Sequence, residues 1–452
     1  MILENDSLQL LGAALKTLDS GFADLPSLPQ AAKDTQSMQA VMQEVAARMQ
    51  DNYPYFHPQY AGQMLKPPHA LARAAYALAT WINPNNHALD GGRASSKMER
   101  EAVAEIAAMF GWKEHLGHLC GGGTMANLEA LWVAGQLHPG KKILASDQAH
   151  YTHSRISTVL GLKFAAVPSD ANGRMDVSAL AKLLEADDVG CVVATAGTTG
   201  TGSVDPLSEI LKLRERHGFR LHVDAAYGGY FTLASNLSPE ARGAFDCITQ
   251  ADSIVIDPHK HGLQPYGCGC VLFRDPAVGA IYKHDSPYTY FTSSEMHLGE
   301  ISLECSRPGA SAVALWATMR LLPLTPGGEF AGMLDDCREA AVQLHRRLTQ
   351  DARWLVPFAP ELDIVVWVPR ARAASEIAAL SQRIFDAAAK NNLHLALIRV
   401  PVRFFASSKQ AFEADRDTVL CLRSVLMKPE HRAWLDGLWE ILSRSADEVL
   451  RA

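Results

Sequence analysis

Lys260 is the one lysine in "DSIVIDPHKHGLQPYGCGCVLFRD", residues 252–275, and it stands between His259 and His261 just after Pro258. A β-branched run (Ser253–Ile256) precedes it and an apolar run (Cys268–Phe273) follows, so the lysine sits in a hinge between two strands. A lysine amine can attack a carbonyl. In "HVDAAYGGY", Asp224 ends another apolar run, and small Ala225 and Ala226 leave room for something flat against the backbone; taken alone it could be a helix N-cap. "CGGGTMANLEALWVAG", residues 120–135, places three glycines and Thr124 at the start of a helix. Inward-turned N–H groups and a partial positive charge there suit a phosphate. The spacing matches neither the nucleotide P-loop nor the dinucleotide glycine pattern. "SDQAHYTHSR" supplies His150 and His153, three residues apart, with no third metal ligand in view, so no metal is expected. A phosphate cradle, a carboxylate, an imidazole and one lysine are the parts that hold pyridoxal 5′-phosphate (PLP). The lysine condenses with the aldehyde, the carboxylate keeps the pyridine nitrogen protonated, and a flat side chain covers the ring.

These residues need elements to carry them. From Lys142 to Arg274 short apolar runs ("KKILAS", "KFAAVPS", "GCVVATAG", "FRLHVDAA", "DSIVID", "GCVLFR") alternate with helical stretches. That texture predicts an α/β fold with a mainly parallel sheet covered by helices on both faces, ligands at the carboxyl ends of the strands. The first 50 or so residues read as helical, "YPYFHPQYAGQMLKPPH" (53–69) as extended, and 69–82, 96–110 and 310–322 as helical. "HLGHLC" reads as a stretch where His115, His118 and Cys120 are surface or satisfied residues. Strand-like "LDIVVWVP" and "TVLCLRSVLM" mark a smaller C-terminal α/β domain. The expected divisions are 1–85, an N-terminal helical and extended segment; 86–327, the large PLP-binding domain; and 328–452, the small domain.

The order and spacing of these motifs over about residues 50–430 resemble the PLP-dependent group II amino-acid decarboxylases, which act on aromatic amino acids, tyrosine, glutamate or aspartate. The resemblance implies fold type I, a homodimer, and decarboxylation of an L-amino acid to its amine and CO2. "DPHKHGL" is similar to the family's lysine motif, making Lys260 the Schiff-base lysine and His259 a phosphate contact. "HVDAAYGG" gives Asp224 the pyridine nitrogen and Ala226 a ring contact; "SDQAHYTHSR" lays His150 over the ring. The glycine turn implies Gly122, Gly123 and Thr124 as phosphate binders, and "ATAGTTGTGSVDP" turns Thr198 to the cofactor or substrate. Arg423 resembles an arginine that binds the substrate carboxylate in some branches. Tyr288 and Tyr290 fall where the family carries a proton-donating tyrosine on a loop; which one corresponds is open, as is plain aromatic packing. The aromatic residues of 53–60 and the two tyrosines suit an aromatic substrate, and His57, Gln59 and His261 a polar one; the balance leans to aromatic. The extended 53–69 segment looks made to cross onto a neighbouring subunit.

Composition sets the outer bounds. The chain has 452 residues, 48% of them hydrophobic, with a net charge of −7 and no long basic block, which argues against nucleic acid as a partner. No run of about 18 apolar residues spans a bilayer, and the acidic start is unlike a secretory signal. Eight scattered cysteines without a Cys-x-x-Cys pair point to a reduced, cytoplasmic protein. An aminotransferase or carbon–carbon lyase on the same fold is the alternative chemistry. A PLP-binding scaffold without catalysis is the non-enzyme alternative.

Overall fold

A computed structural model describes residues 5–26, 34–283, 297–406 and 412–451. Seven strands form the large sheet: β1 (Leu116–Cys120), β2 (Lys142–Ser146), β3 (Lys163–Val167), β4 (Val189–Thr195), β5 (Arg220–Asp224), β6 (Ser253–Ile256) and β7 (Gly269–Phe273). Their order is β1-β7-β6-β5-β4-β2-β3. β7 pairs antiparallel with both β1 and β6, and the other neighbours pair parallel. All strands but β7 therefore run the same way. The carboxyl ends of β1, β2, β4, β5 and β6 meet at one edge of the sheet.

The central strands are buried on both faces, which is why they read as continuous apolar runs rather than alternating ones. Every residue of β4, "VGCVVAT", is buried. The helix Gly123–Leu137 lies against the sheet and buries Ala126, Ala130, Leu131, Val133 and Ala134. A second, four-stranded sheet holds β8 (Trp354–Leu355), β9 (Ile364–Pro369), β10 (Ala396–Pro401) and β11 (Thr418–Val425) in the order β10-β11-β9-β8, all antiparallel. Its core packs Trp354, Trp367 and Leu422 with Leu344 and Leu348 of the helix Glu329–Gln350 and Leu438 and Leu442 of the helix His431–Leu450. Buried positions three and four apart on the helix Glu329–Gln350 make its core-facing stripe.

"HLGHLC" is in large part a strand, β1, and His118 inside it is fully buried and satisfied, one of the two readings expected of it. The reason is a polar partner from the next helix: His118 Nε2 lies 2.9 Å from Glu129 Oε2, and Arg307 lies beside it. The 53–69 segment, expected to cross onto a neighbouring subunit, lies along the small domain of its own chain: Ala61 N donates to His394 O at 2.9 Å, Val425 N donates to Ala61 O at 2.8 Å, and the Tyr53 ring lies 4.9 Å from that of His394. The helix Thr35–Met49, by contrast, has no buried residue.

Candidate active site

The strand ends converge on one cavity of about 540 Å³, lined among others by Gly121–Met125, Asn127, His150, Asp224, Ala226, Asp257, His259 and Lys260. Its size suits a small-molecule ligand. Lys260 stands three residues past Asp257 in the hinge after β6, with Nζ 3.1 Å from Asp257 Oδ2.

Asp224, the last residue of β5, is 5% exposed and three donors hold it. His153 Nε2 donates to Oδ2 at 2.8 Å, Asn127 Nδ2 donates to the same oxygen at 3.3 Å, and Ala226 N donates to Oδ1 at 3.1 Å. Burial alone pushes this carboxyl up, but the hydrogen bond and charge of His153, the charge of Lys260 and the Ala226 N–H outweigh it, so Asp224 stays well below the usual carboxylate range. Behind it runs a neutral relay. Ser253 Oγ donates to His222 Nδ1 at 2.9 Å, and His222 Nε2 donates to Asn127 Oδ1 at 2.8 Å. Burial drops His222 to about 3, so it carries no charge at neutral pH.

His150 lines the cavity at the end of the β2 loop, its Nδ1 bonded to Thr152 Oγ1 at 2.7 Å. Burial lowers its pKa, leaving a flat, uncharged ring. His259 donates from Nδ1 to Cys268 O at 2.8 Å and stacks on Tyr266 at 4.8 Å. The glycine turn comes close to the hinge. A Cβ on Gly123 would stand 2.8 Å from Asp257 Oδ2, and Gly122 holds φ at +146°, where a Cβ would meet the His259 ring at 3.2 Å. The turn thus leaves a backbone cradle at a helix N-terminus that side chains would fill. These features fit PLP: an amine, an ionised carboxylate, a flat neutral ring and an anion cradle face one volume.

Lys260, Asp224, His150, Ala226, His259, Gly122, Gly123 and Thr124 all line that cavity. Other expected residues lie elsewhere. Thr198 is buried inside its own loop, Oγ1 bonded to Thr201 Oγ1 at 2.9 Å and accepting from Ser203 N at 3.1 Å; the loop presents Gly197 and Thr199 to the cavity instead. Arg423 on β11 is not among the lining residues. Its guanidinium grips the loop from behind, donating to Thr199 O at 2.7 Å and Gly200 O at 2.9 Å. His57 packs edge-on to Trp434 at 4.7 Å, away from the cavity. Tyr288 and Tyr290 lie outside the described residues.

Sequence reasoning missed His153, Asn127 and Asp257. His153 was visible only as half of a histidine pair. Its partner sits on β5, two strands over from β2, so topology alone joins them. Asp257 had a signal, an acid three residues before the lysine. Among the described residues no group of three or more His, Cys, Asp or Glu side chains could hold a metal.

The sequence profile of the pyridoxal-dependent decarboxylase conserved domain matches residues 133–369. An L-tyrosine decarboxylase of Enterococcus faecium is 28% identical over 80% of this chain and 79% of its own length. A probable L-tyrosine/L-aspartate decarboxylase of Methanothermobacter thermautotrophicus is 30% identical over 70% of this chain and 85% of its own. Among solved structures, the Oryza sativa TDC with PLP and tryptamine superposes with a TM-score of 0.78 at 18% identity, covering 99% of each chain.

Proposed function

This chain belongs to the pyridoxal-dependent decarboxylase family, and on that premise we propose that Lys260, Asp224, His150 and the Gly121–Thr124 turn hold PLP while an aromatic L-amino acid loses CO2. The family establishes PLP-dependent decarboxylation of an amino acid. The observation carrying the site assignment is the meeting of Lys260 and the His153-supported Asp224 in one cavity beside a backbone cradle. When bound, PLP supplies an aldehyde for an amine and a protonated ring that draws electrons from the Cα bond being broken.

The chain's own groups do the rest. Lys260 would offer the amine that anchors the cofactor. Asp224, kept ionised by His153, would hold a proton on the pyridine nitrogen. His150 would cover the ring as a neutral imidazole. The glycine turn would receive the phosphate on backbone N–H groups, with His259 beside it. Arg423 fixes the Thr199–Gly200 wall against which a substrate carboxylate would lie. A fixed wall of this kind would orient the substrate for loss of its carboxylate.

The preference for an aromatic side chain rests on charge. Lys260 is the one lysine or arginine among the described cavity-lining residues, while Asp224 and Asp257 are both present. An acidic substrate side chain would find no cation among these residues once Lys260 is taken by the cofactor. The Enterococcus and Methanothermobacter relatives, named for tyrosine and for tyrosine or aspartate, are compatible with this. CO2 release from a panel of L-amino acids tests it: tyrosine, tryptophan or phenylalanine is expected to exceed aspartate and glutamate at least tenfold in kcat/KM. Faster aspartate turnover contradicts it.

Two further readings concern the whole protein. Eight unpaired thiols support a reducing, cytoplasmic setting. A homodimer is supported by the helix Thr35–Met49, whose apolar stripe faces solvent along the single chain.

A further inference from the structure

Asp257 is a buried carboxylate that the mechanism above leaves without a task. It is 2% exposed, lines the cavity, and its Oδ1 meets no hydrogen-bond partner. A buried carboxylate keeps its charge only beside a cation or several donors. The groups facing it exclude all partners but one. His259 Nε2 is 3.6 Å away, but its ring proton sits on Nδ1, committed to Cys268 O, and burial lowers its pKa. Burial likewise lowers the pKa of His150 and of His261, and His261 Nε2 is turned to Asp363 Oδ2, 3.2 Å away. Tyr230, Tyr266, Cys120, Cys268 and Cys270 are pushed up by burial and stay protonated. Asp224, the other nearby acid, is already served by His153, Asn127 and Ala226. Lys260 Nζ, 3.1 Å from Oδ2, is the cation that remains.

We propose that Asp257 holds the proton on the Lys260 nitrogen once that nitrogen has condensed with the cofactor. This rests on Lys260 being the cofactor lysine. Condensation joins amine and aldehyde into a C=N bond with loss of one water, and the nitrogen keeps a lone pair able to carry a proton. A carboxylate 3.1 Å away favours the protonated form, whose carbon is the more open to attack by a substrate amine. Asp257 thereby primes the entry of substrate and leaves the breaking of the Cα bond to other groups.

The test uses the PLP-loaded protein and two variants. Asp257→Asn keeps the shape, and Asp257→Ser gives a second neutral side chain should the amide disturb folding; circular dichroism checks both. The visible absorbance of each is followed against pH. Both variants are expected to titrate at least about one pH unit below the parent, a tenfold loss of proton affinity at that nitrogen. Midpoints equal to the parent's overturn the proposal. Borohydride reduction and peptide mapping separate the two readings. A chromophore fixed on another lysine sinks the assignment of Lys260 itself. One fixed on Lys260 with an unshifted midpoint sinks the role of Asp257 alone.

Discussion

At the scale of single residues, the consequential pair is His153 and Asp224. Asp224 is ionised because His153 overrides the cost of burying it. Without His153 burial dominates, and the carboxyl takes up a proton at a higher pH. His153→Ala should therefore move the acidic limb of kcat upward by at least about one pH unit, while Ala226 N and Asn127 still hold the carboxylate in place. His153→Gln, which can donate without charge, should fall between. Stability follows the same sign. A depressed folded pKa stabilises above the ordinary carboxylate range and loses that contribution as pH falls through the folded value, so the Ala variant should acid-unfold at a higher pH than the parent. Overlapping pH–rate profiles for all three proteins would reduce His153 to packing. Lys260, Asp224 and His150 were legible because each ends or closely follows a strand-like run and offers a distinct chemistry. Their supports were not, since His153 reaches Asp224 and Asn127 reaches His222 only through sheet order.

At the scale of elements, the turn between β1 and the helix Gly123–Leu137 is where backbone and chemistry meet. Alanine is favoured over glycine inside a helix by up to about 1 kcal/mol, so on helix propensity alone Gly123→Ala should leave the cofactor-free protein as stable or slightly more so. Its Cβ, however, would stand 2.8 Å from Asp257 Oδ2 and 3.3 Å from Ala226 Cβ, and those segments also line the cavity with Lys260. The turn or the hinge must give way. Absorbance titration is expected to show PLP binding weakened at least tenfold, beside a cofactor-free protein that still folds cooperatively with a lowered melting temperature. Equal affinity in both proteins would mean the turn holds nothing. Six of the seven large-sheet strands stood out in the sequence as apolar runs. β1 did not, because "LGHLC" carries a glycine and a histidine whose partners, Glu129 and Arg307, are 11 and 189 residues away. The short β8 and the half-exposed β10 were also missed, their signals resting on pairing rather than on composition.

At the scale of the whole molecule, the N-terminal helix Thr35–Met49 poses a physical problem that the proposed dimer would resolve. It buries nothing, and isolated helices of this length are marginal in water. Met38, Val41, Met42, Val45 and Met49 recur at intervals of three and four, are each 45–64% exposed, and so form one apolar stripe. Fully burying such side chains contributes roughly 1.5–3 kcal/mol each, enough for the stripe to anchor an interface. The proposed dimer places it there. The 53–69 segment, whose extended character first suggested that role, is engaged with the small domain of its own chain. Val41→Asp combined with Val45→Asp puts two charges at the centre of the stripe without touching the cavity. Sedimentation at micromolar concentration is expected to show a dimer for the parent and a monomer for the double variant. If the cavity needs the neighbouring subunit to be complete, decarboxylation falls in step with the dimer fraction on dilution. A parent protein that is monomeric and fully active, or a double variant that stays dimeric, leaves the stripe without the partner assigned to it.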